Sequence, residues 1–528
     1  MRKNYQVVIV GGGPVGAALA VELGMRGVSC ALIERRTTLP NIPKGQNLTQ
    51  RTLEHFHFWG LADELRAARA MPQGYPIGEV TAYDNLMSEY WFVSAGREVV
   101  RPYYFQDNER LPQYRTEEVL RRKMASLETV DDYFGWTATS LSQTEKSVEV
   151  SIENANGEKL SLVADYLVGC DGGHSKVRDW AGIERGGTDF DQVMMLAVFR
   201  SKELHEALER FPQRSTYRVM RPELNGYWQF FGRIDVGEGW FFHAPVPAAA
   251  INDKNFDFLS VIQDSAGGKF ACEMDHVGFW DLRVSVAERY RNGRIFIAGD
   301  AAHTHPPYGG FGLNNGLEDA INLAWKLHAK LEGWGGDTLL DSYSLERRPV
   351  FKDTGEDFIA KRIKQDAVFY DTFNPRRDRL AFETEWNARK NESGARAQAY
   401  VPNYAGSPVV LGPQGAVSGA HGEHMFIARP GHHLTPQPLS GGKNVFEMLE
   451  RGFNLLAFGA ADADVARMKE AARTLSIPLN VISDTYANER EAYEARLIIV
   501  RPDQFVAWAG NEAPADAQAL FARVSGQV

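Results

Sequence analysis

The sequence contains few cysteines, no excess of positive charge and no long apolar run. Its three cysteines (Cys30, Cys170 and Cys272) lie far apart in apolar surroundings, which argues against a disulfide framework or a metal site and is typical of a reducing compartment. The net charge of −10 argues against nucleic acid as a partner, because phosphate binding needs a basic surface. No apolar run could span a bilayer and no signal peptide precedes the first strand, so we expect a cytoplasmic protein without membrane association.

The rest of the composition is that of an ordinary globular protein. The chain has 528 residues, of which 44% are hydrophobic and 24% are charged. Because a single hydrophobic core stops growing at about 250–300 residues, a chain of this length predicts two or three domains.

The N-terminal segment predicts a dinucleotide site. The apolar run Val7–Val10 indicates a strand, and Gly11, Gly13 and Gly16 follow it in the spacing G-x-G-x-x-G. This spacing allows a tight turn and a close approach of the backbone to a pyrophosphate. A second apolar strand ends in Glu34, where the fingerprint places an acid for the ribose hydroxyls. The acid favours a dinucleotide site over a coincidental strand-turn-helix.

Residues 293–316 repeat this order of strand, acid, glycines and helix. The apolar run Ile295–Ala298 precedes Asp300, and Pro306 and Pro307 then stiffen a glycine-rich loop that can approach a flat ligand. Helical spacing over Leu317–Leu327 predicts a helix whose first amides point toward that ligand. The alternative is a plain glycine-rich turn.

Three further stretches complete the pattern. In Tyr166–Arg178 an apolar strand again ends in an acid, Asp171, before a glycine turn. Residues 182–285 alternate aromatic and other side chains, as in Tyr227–Phe231 and Trp240–His243, which predicts an antiparallel sheet. Its aromatic face is either a sheet core or the wall of a pocket for a flat ligand.

Near the C-terminus, alternating strand and helix patterns predict a small α/β module.

Taken together, these motifs resemble those of the class A flavoprotein monooxygenases, the single-component FAD-dependent aromatic hydroxylases. The matches follow the family's order over residues 1–350: Gly11-x-Gly13-x-x-Gly16 with Glu34-Arg35, Asp171-Gly172 through Arg178, and Gly299-Asp300 with Pro306-Pro307 and Gly312-Leu313-Asn314. The chain is most similar to the phenol hydroxylase branch, in Arg51–Glu54, Gln113, Glu117–Leu120 and Tyr343–Pro349. Members of that branch end in a thioredoxin-like domain, which Val500–Trp508 resembles.

The resemblance implies an α/β (α+β) architecture in three parts. A Rossmann-like FAD-binding domain is expected from residues 1–75, 102–181 and 286–350, with an inserted antiparallel-sheet substrate domain from 76–101 and 182–285. A helical linker over 351–395 and a thioredoxin-like α/β domain over 396–528 follow. Because no cysteine follows Cys272, this last domain cannot perform thiol redox chemistry, and we expect it to be structural or an assembly surface, for example of a homodimer.

The resemblance also implies which residues contact FAD. Glu34 would hold the adenosine ribose, the amides after Gly11 would face the pyrophosphate, and Asp300 would accept a bond from the ribityl or phosphate region. Where many relatives have an arginine at the pyrophosphate, this chain has Lys44. The candidate FAD contacts are Gly11, Gly13, Pro14, Gly16, Glu34, Arg35, Lys44, Gln113, Asp171, Asp300, Pro307, Gly312, Leu313 and Asn314.

In the family, NADPH or NADH reduces the flavin, O2 adds to form a C4a-hydroperoxide, and its distal oxygen passes to an activated phenol ring. Phenol hydroxylases have an aspartate near the substrate hydroxyl where this chain has Gln46, which cannot act as a base at neutral pH. The candidate bases are His243, His305 and Tyr217, because each can ionise or relay a proton, although a structural role for each stays open. A nitro- or halophenol is already acidic and needs no strong base.

The sequence therefore predicts an FAD-dependent NAD(P)H monooxygenase that hydroxylates a substituted phenol or catechol, with displacement of a nitro or halide group left open. One alternative is another flavin oxidoreductase, either a reductase or a halogenase; the halogenase is disfavoured because its Trp-x-Trp-x-Ile motif is absent. A second alternative is a flavin-loaded protein that binds an aromatic ligand without turning it over.

Overall fold

The structure is a computed structural model that describes residues 3–188, 192–253 and 255–528. The elements up to residue 180 are β1 (Asn4–Val10), α1 (Pro14–Met25), β2 (Cys30–Glu34), β3 (Asn47–Leu48), α2 (Gln50–Phe58), α3 (Ala62–Ala67), β4 (Glu79–Tyr83), β5 (Trp91–Ser94), β6 (Glu109–Arg110), α4 (Gln113–Ala125), β7 (Val130–Phe134), β8 (Trp136–Gln143), β9 (Val148–Asn154), β10 (Lys159–Gly169) and α5 (Lys176–Trp180). A 3-10 helix spans Arg97–Tyr103 between β5 and β6.

The middle of the chain is richer in strands and ends in helices. Its elements are β11 (Arg185–Thr188), β12 (Gln192–Arg200), α6 (Lys202–Ala207), β13 (Thr216–Met220), β14 (Gln229–Arg233), β15 (Gly239–Pro247), α7 (Phe258–Ala266), β16 (Glu273–Asp281), β17 (Val284–Ala287), β18 (Arg291–Asn292), β19 (Ile295–Ile297), β20 (His303–Thr304), α8 (Phe311–Leu331), α9 (Asp337–Asp353), α10 (Lys361–Thr372), α11 (Arg379–Asn391) and α12 (Ala395–Ala399). A π-helical turn, Thr354–Ala360, joins α9 to α10.

The last segment forms the small α/β module. It comprises β21 (Tyr400–Asn403), β22 (Gly419–His421), β23 (Phe453–Phe458), α13 (Asp462–Thr474), β24 (Leu479–Asp484), β25 (Leu497–Val500), β26 (Val506–Gly510) and α14 (Ala517–Val524). The sheet order is β24-β23-β25-β26, with β23 parallel to β24 and antiparallel to β25.

The main sheet has a parallel core in the order β19-β10-β1-β2-β7, extended by antiparallel β18 and by the hairpin of β8 and β9. Val7, Val8 and Ile9 are fully buried, as expected for parallel strands covered on both faces. Because parallel strands end at the same edge, the segments after β1, β2, β10 and β19 come together there. Helices α1 and α8 cross closely near that edge, since a Cβ on Gly316 would lie 2.6 Å from the Val15 side chain.

The second sheet has the order β16-β12-β15-β14-β13-β4-β5. Its pairs are antiparallel except for β13 and β4, and β4 and β5 come from an earlier part of the chain. One face packs on α6 and α7 through side chains such as Phe231, Phe242 and Ile262. The other face carries Leu196 and the aromatic residues Phe230, Phe241 and Trp280. It packs against Ile42, in the segment between β2 and β3.

A buried ionic cluster joins the C-terminal module to α8 and α9. The Glu346 carboxylate accepts hydrogen bonds from Lys326 Nζ at 2.6 Å and from both terminal nitrogens of Arg501 at 2.7 and 2.9 Å. Arg501 also donates to the carboxylate of Asp503, and all four side chains are fully buried. The two parts of the chain therefore share one core.

Helix α8 differs from the sequence prediction. The spacing predicted a helix over Leu317–Leu327, but the helix already begins at Phe311 and continues to Leu331. Gly312, Leu313 and Asn314 consequently lie in its first turn and not in the preceding loop. Two glycines with positive φ, Gly309 at 78° and Gly310 at 67°, make this early start possible.

Within the described ranges, no helix is both long enough and apolar enough to cross a membrane. The same ranges contain no group of histidine, cysteine and acidic side chains that could hold a metal ion.

Candidate functional site

The turn between β1 and α1 leaves space for an anion. Gly13 caps α1 without any side-chain hydrogen bond, so the first amides of the helix are not capped by a side chain. A Cβ built on Gly13 would meet nothing within 4 Å, whereas one on Gly16 would lie 1.9 Å from the carbonyl oxygen of Gly11. Pro14 occupies the first helical position, which needs no amide partner. The turn is therefore packed tightly behind and open in front, as a pyrophosphate site requires.

Glu34, at the end of β2, faces this turn. Its carboxylate accepts a hydrogen bond from the Gly12 amide at 2.8 Å and another from the Arg36 amide at 2.9 Å. The acid thus lies next to the first turn of α1, within reach of a nucleoside whose pyrophosphate lies on that turn. Arg35 is exposed beside it.

Three candidate residues from distant parts of the chain converge next to the turn. A Cβ on Gly45 would lie 3.3 Å from Gln113 Oε1 and 3.5 Å from the Leu313 side chain. Lys44 precedes this glycine and is exposed, with its ammonium free to reach a phosphate. The loop after β2, the start of α4 and the start of α8 thereby form one cleft.

The start of α8 is held by Asn314. The side-chain oxygen of Asn314 accepts hydrogen bonds from the Thr49 amide at 2.9 Å and the Thr52 hydroxyl at 2.6 Å, and its amide nitrogen donates to the carbonyl oxygens of Asn47 and Gly310. Gly310, the N-cap, offers no side-chain cap. The first amides of α8 are therefore left uncapped at the cleft, where they can meet a flat, electron-rich ring.

Asp300 lies in the loop after β19, exposed at the same edge. The loop is fixed from behind by Asp319, which sequence analysis missed. The Asp319 carboxylate accepts hydrogen bonds from the Gly299 amide at 3.0 Å, from His303 at 2.6 Å and from Arg347 at 2.7 Å. Burial raises the pKa of Asp319, but His303 and Arg347 outweigh that effect and keep it below the ordinary value. His303 is thus part of the framework.

Asp171 does not face the cleft with a free carboxylate. Its oxygens accept hydrogen bonds from the Ser175 hydroxyl and from the amides of Lys176 and Val177, at the start of α5. Arg178, from the same motif, donates to the carbonyl oxygen of Ala301, next to Asp300. The motif therefore supports the Asp300 loop, and any role of Asp171 toward a cofactor is indirect.

Of the three candidate bases, His243 lies on the sheet face that is directed toward the cleft. Its ring stacks on Phe230 at 4.5 Å and contacts Phe241 at 5.3 Å and Trp280 at 5.0 Å. Among the described residues, its buried Nδ1 has no hydrogen-bond partner. Burial lowers the pKa of His243 to about 3, so the imidazole is neutral at physiological pH. It can form a hydrogen bond but is too weakly basic to deprotonate a phenol.

His305 lies in the loop before α8 and is directed at the cleft. Its Nδ1 donates to the carbonyl oxygen of Pro306, which leaves Nε2 as an acceptor. That Nε2 is buried, lies 3.6 Å from where a Gly312 Cβ would be, and has no partner in the described part of the chain. Burial lowers its pKa to about 4. Pro307 follows in the same loop, so His305 and Pro307 line the position expected for the isoalloxazine.

Tyr217 is separated from both histidines. It pairs with Phe231, which pairs with Phe242, the residue before His243, so Tyr217 and His243 lie on opposite faces of the sheet. The Tyr217 hydroxyl accepts hydrogen bonds from Arg233 within the core beneath α6 and α7. The structure thus corrects the expectation that Tyr217 is available as a base.

Two buried polar side chains at the cleft lack partners for some of their atoms. Arg110 donates to Asn47 at 3.0 Å and to Thr216 at 2.8 Å, but its Nε and Nη2 have no acceptor among residues that the structure describes. The Nε2 of Gln46 is similarly unpaired. Burial lowers the pKa of Arg110 only to about 10, so it stays charged beside the Phe241 ring. No local pattern in the sequence marks Arg110, which reaches the cleft only through the fold.

These features fit FAD. The acid at the end of β2, the open turn before α1 and the uncapped start of α8 match the adenosine ribose, the pyrophosphate and the isoalloxazine of FAD, respectively. The unpaired polar atoms of Gln46 and His305 at the flavin end provide hydrogen-bonding groups that a bound flavin could meet.

Two family models match the chain. A model described as "FAD binding domain" matches residues 4–356, and one described as "Aromatic-ring hydroxylase, C-terminal" matches residues 428–527.

Several characterised proteins are similar in sequence. The 4-methyl-5-nitrocatechol 5-monooxygenase of a Burkholderia species is 28% identical and aligns with 98% of this chain and 96% of its own length. The rifampicin monooxygenase of Streptomyces venezuelae is 33% identical over 66% of this chain and 68% of its own length. The tetracenomycin A2 monooxygenase-dioxygenase of Streptomyces glaucescens is 27% identical over 99% and 98%, respectively.

Solved structures are similar over the whole chain. The rebeccamycin biosynthetic enzyme RebC with reduced flavin is 27% identical, with a TM-score of 0.84 over 99% of both chains. Aklavinone-11 hydroxylase in complex with FAD and aklavinone has a TM-score of 0.82 over 100% of both chains; at 24% identity it shows the same fold.

Proposed function

This chain belongs to the class A FAD-dependent aromatic hydroxylases, and on that premise we propose that it hydroxylates a substituted phenol or catechol at the expense of NAD(P)H and O2. One oxygen atom of O2 would enter the ring, the other would leave as water, and NAD(P)H would supply two electrons. Bound FAD would supply the activated oxygen. The observation that carries the proposal is the cluster of Phe230, Phe241 and Trp280 around His243, which we call the aromatic box. It lies on the sheet face beside the flavin cleft.

The protein's own residues would position the ring and exclude water. Phe230, Phe241 and Trp280 surround the His243 imidazole and offer apolar surfaces to a flat ring. The buried Nδ1 of His243 would bind the substrate hydroxyl, and the free Nε2 of His305 would accept a hydrogen bond at the flavin end of the site.

Ionisation of the substrate hydroxyl would be favoured by the nearby positive charge of Arg110 and not by a strong base. Both histidines have pKa values well below neutrality, while Arg110 stays protonated on the same side of the sheet. A buried cation stabilises a phenolate strongly because few water dipoles screen it. Phenols that are already acidic, such as nitro- and halophenols, therefore fit this site best. Displacement of the nitro or halide group is part of the proposal: the group would leave as nitrite or halide, and the ring would leave as a quinone with the same consumption of one NAD(P)H and one O2. The similarity to a nitrocatechol monooxygenase over nearly the whole chain supports this choice.

The proposal is tested with the purified holoenzyme. NADH and NADPH oxidation and O2 uptake are measured with a panel of phenols, catechols, nitrophenols and halophenols, and the products are analysed by mass spectrometry under labelled O2. We expect at least one acidic phenol to accelerate NAD(P)H oxidation and to gain one labelled oxygen atom. Stoichiometric binding of phenols without any product would instead support a flavin-loaded binding protein.

Replacement of His243 by glutamine is predicted to lower kcat/KM by about tenfold, since one hydrogen bond to the substrate is weakened. The pH profile should keep its shape, because an imidazole with a pKa of about 3 is neutral throughout the working range. His276→Gln, on the edge strand β16 of the same sheet, is the control and should match the wild type. Loss of the acidic limb of the profile in His243→Gln alone would show instead that His243 is the general base.

A further inference from the structure

A cavity lies beside the N-terminus of α8. It has a volume of about 70 Å³ and lies between α2, the 3-10 helix Arg97–Tyr103, α8 and the segment around Tyr400. Its walls include Phe311 and Asn314 but no residue of β12 to β16. We call it the Arg97 cavity; it is separate from the proposed substrate site.

Arg97 is the unusual group in this cavity. Among the residues that the structure describes, its guanidinium forms no hydrogen bond, ion pair or ring contact. Desolvation lowers its pKa, and only the tyrosines Tyr104 and Tyr400 are close enough to oppose this effect. Arg97 is half-buried, so its charge is partly desolvated without a partner, and a bound anion would supply one.

The other charged groups of the cavity are already paired. Arg51 donates to Glu318 and Glu54, and Arg347 donates to Asp319 and Asn315. Glu318, the acid in the cavity wall, accepts from Arg51 and also from His55 at 2.7 Å. No lining carboxylate is therefore left to neutralise Arg97.

The walls next to Arg97 are aromatic. Tyr104, Tyr400 and Phe311 line the cavity, and the rings of Phe311 and Tyr400 lie 4.6 Å apart. The Tyr104 hydroxyl lies 3.3 Å from His424 Nε2, so it has a partner of its own. Flat walls beside one unpaired cation suit a flat anion.

We propose that the Arg97 cavity binds a small aromatic carboxylate, with the guanidinium of Arg97 paired to the carboxylate and the ring between the aromatic walls. This is an effector site, distinct from the substrate site. Phe311 and Asn314 form part of the cavity wall and also begin α8, whose first turn faces the flavin cleft. An occupant would therefore perturb the environment of bound flavin without contacting the aromatic box.

Benzoate is the probe, and benzamide is its neutral analogue. Binding to the holoenzyme is measured by titration calorimetry and by the change in flavin absorbance, for the wild type, Arg97→Met and Arg97→Gln. We expect benzoate to bind the wild type at least about tenfold more tightly than either variant, because a charge-assisted hydrogen bond is lost. Benzamide should not distinguish the three proteins. Arg473→Met removes an exposed arginine far along the chain and should bind benzoate like the wild type.

Three results would overturn the proposal. The first is equal benzoate affinity in the wild type and in a folded, FAD-loaded Arg97 variant. The second is no benzoate binding to the wild type at millimolar concentrations. The third is complete displacement of benzoate by a phenol that occupies the aromatic box, which would place benzoate in the substrate site. Because binding needs no turnover, these results are independent of whether hydroxylation itself is observed.

Discussion

Replacement of Glu346 by glutamine is expected to lower the free energy of unfolding by about 3–5 kcal/mol, the cost of leaving buried charges unpaired. Burial alone would raise the pKa of Glu346, but Arg501 and Lys326 outweigh this effect and keep it ionised. Glutamine keeps the shape of the side chain but removes the charge and replaces one acceptor oxygen by a donor, so Arg501 and Lys326 lose their shared counterion. Lys326, whose pKa burial has already lowered to about 8, would give up its proton more easily.

The measurement is urea unfolding followed by tryptophan and flavin fluorescence. Because Glu346 joins α9 to the C-terminal module, we expect both signals to shift to lower urea together. The control is Glu470→Gln, which removes an equally short but exposed ion pair with Arg473 and should leave the transition unchanged. If the two variants unfold at the same urea concentration, the buried cluster contributes nothing to stability.

The second large effect is expected at Gly11. Its φ is 109°, and a Cβ there would lie 2.3 Å from the carbonyl oxygen of Cys170. Alanine would therefore push β1 away from the end of β10, at the point where the pyrophosphate is expected. We predict that Gly11→Ala weakens FAD binding by about a hundredfold or more, equivalent to about 3 kcal/mol, and also destabilises the apoprotein.

Gly13→Ala separates the two effects. Its Cβ would project into open space, so the apoprotein should be as stable as the wild type, while FAD affinity falls because the added methyl group occupies the cofactor's position. Gly186→Ala, at another position without neighbours within 4 Å, is the control for both measurements. FAD affinity is measured by fluorescence titration of the apoprotein. Unchanged affinity in Gly13→Ala would contradict the assignment of this turn to the pyrophosphate.

Local sequence signals predicted the fold class and the cofactor, and both are confirmed by the family matches and the similar solved structures. Strand, glycines and helix are adjacent in the chain, so the local sequence determines the geometry of the Gly11–Gly16 turn. Glu34 ends the next strand and is recognised from the same short segment. The residues that were predicted to contact FAD remain predictions, although the structure brings most of them to one edge of the main sheet. Asp171 also lies at this edge, shortly after β10, but its carboxylate is occupied by the first amides of α5.

What the sequence could not show depends on contacts between distant segments. Tyr217 and His243 lie on different strands, and only the register through Phe231 decides which face each occupies. Asp319 and Arg347 lie in different helices, so their joint support of the Asp300 loop leaves no local pattern. The pKa of His243 is likewise set by the rings around it and not by its neighbours in sequence.

The Glu346 cluster also has a consequence for the construction of chimeras. Relatives of this chain differ in their substrates, which invites the exchange of C-terminal modules between them. A junction placed before β21 would separate Arg501 and Asp503 from Glu346 and Lys326, so a donor module without an arginine at the position of Arg501 would leave Glu346 with Lys326 as its only buried cation of the cluster. A chimera should therefore exchange the C-terminal module together with α8 and α9, and not the C-terminal module alone.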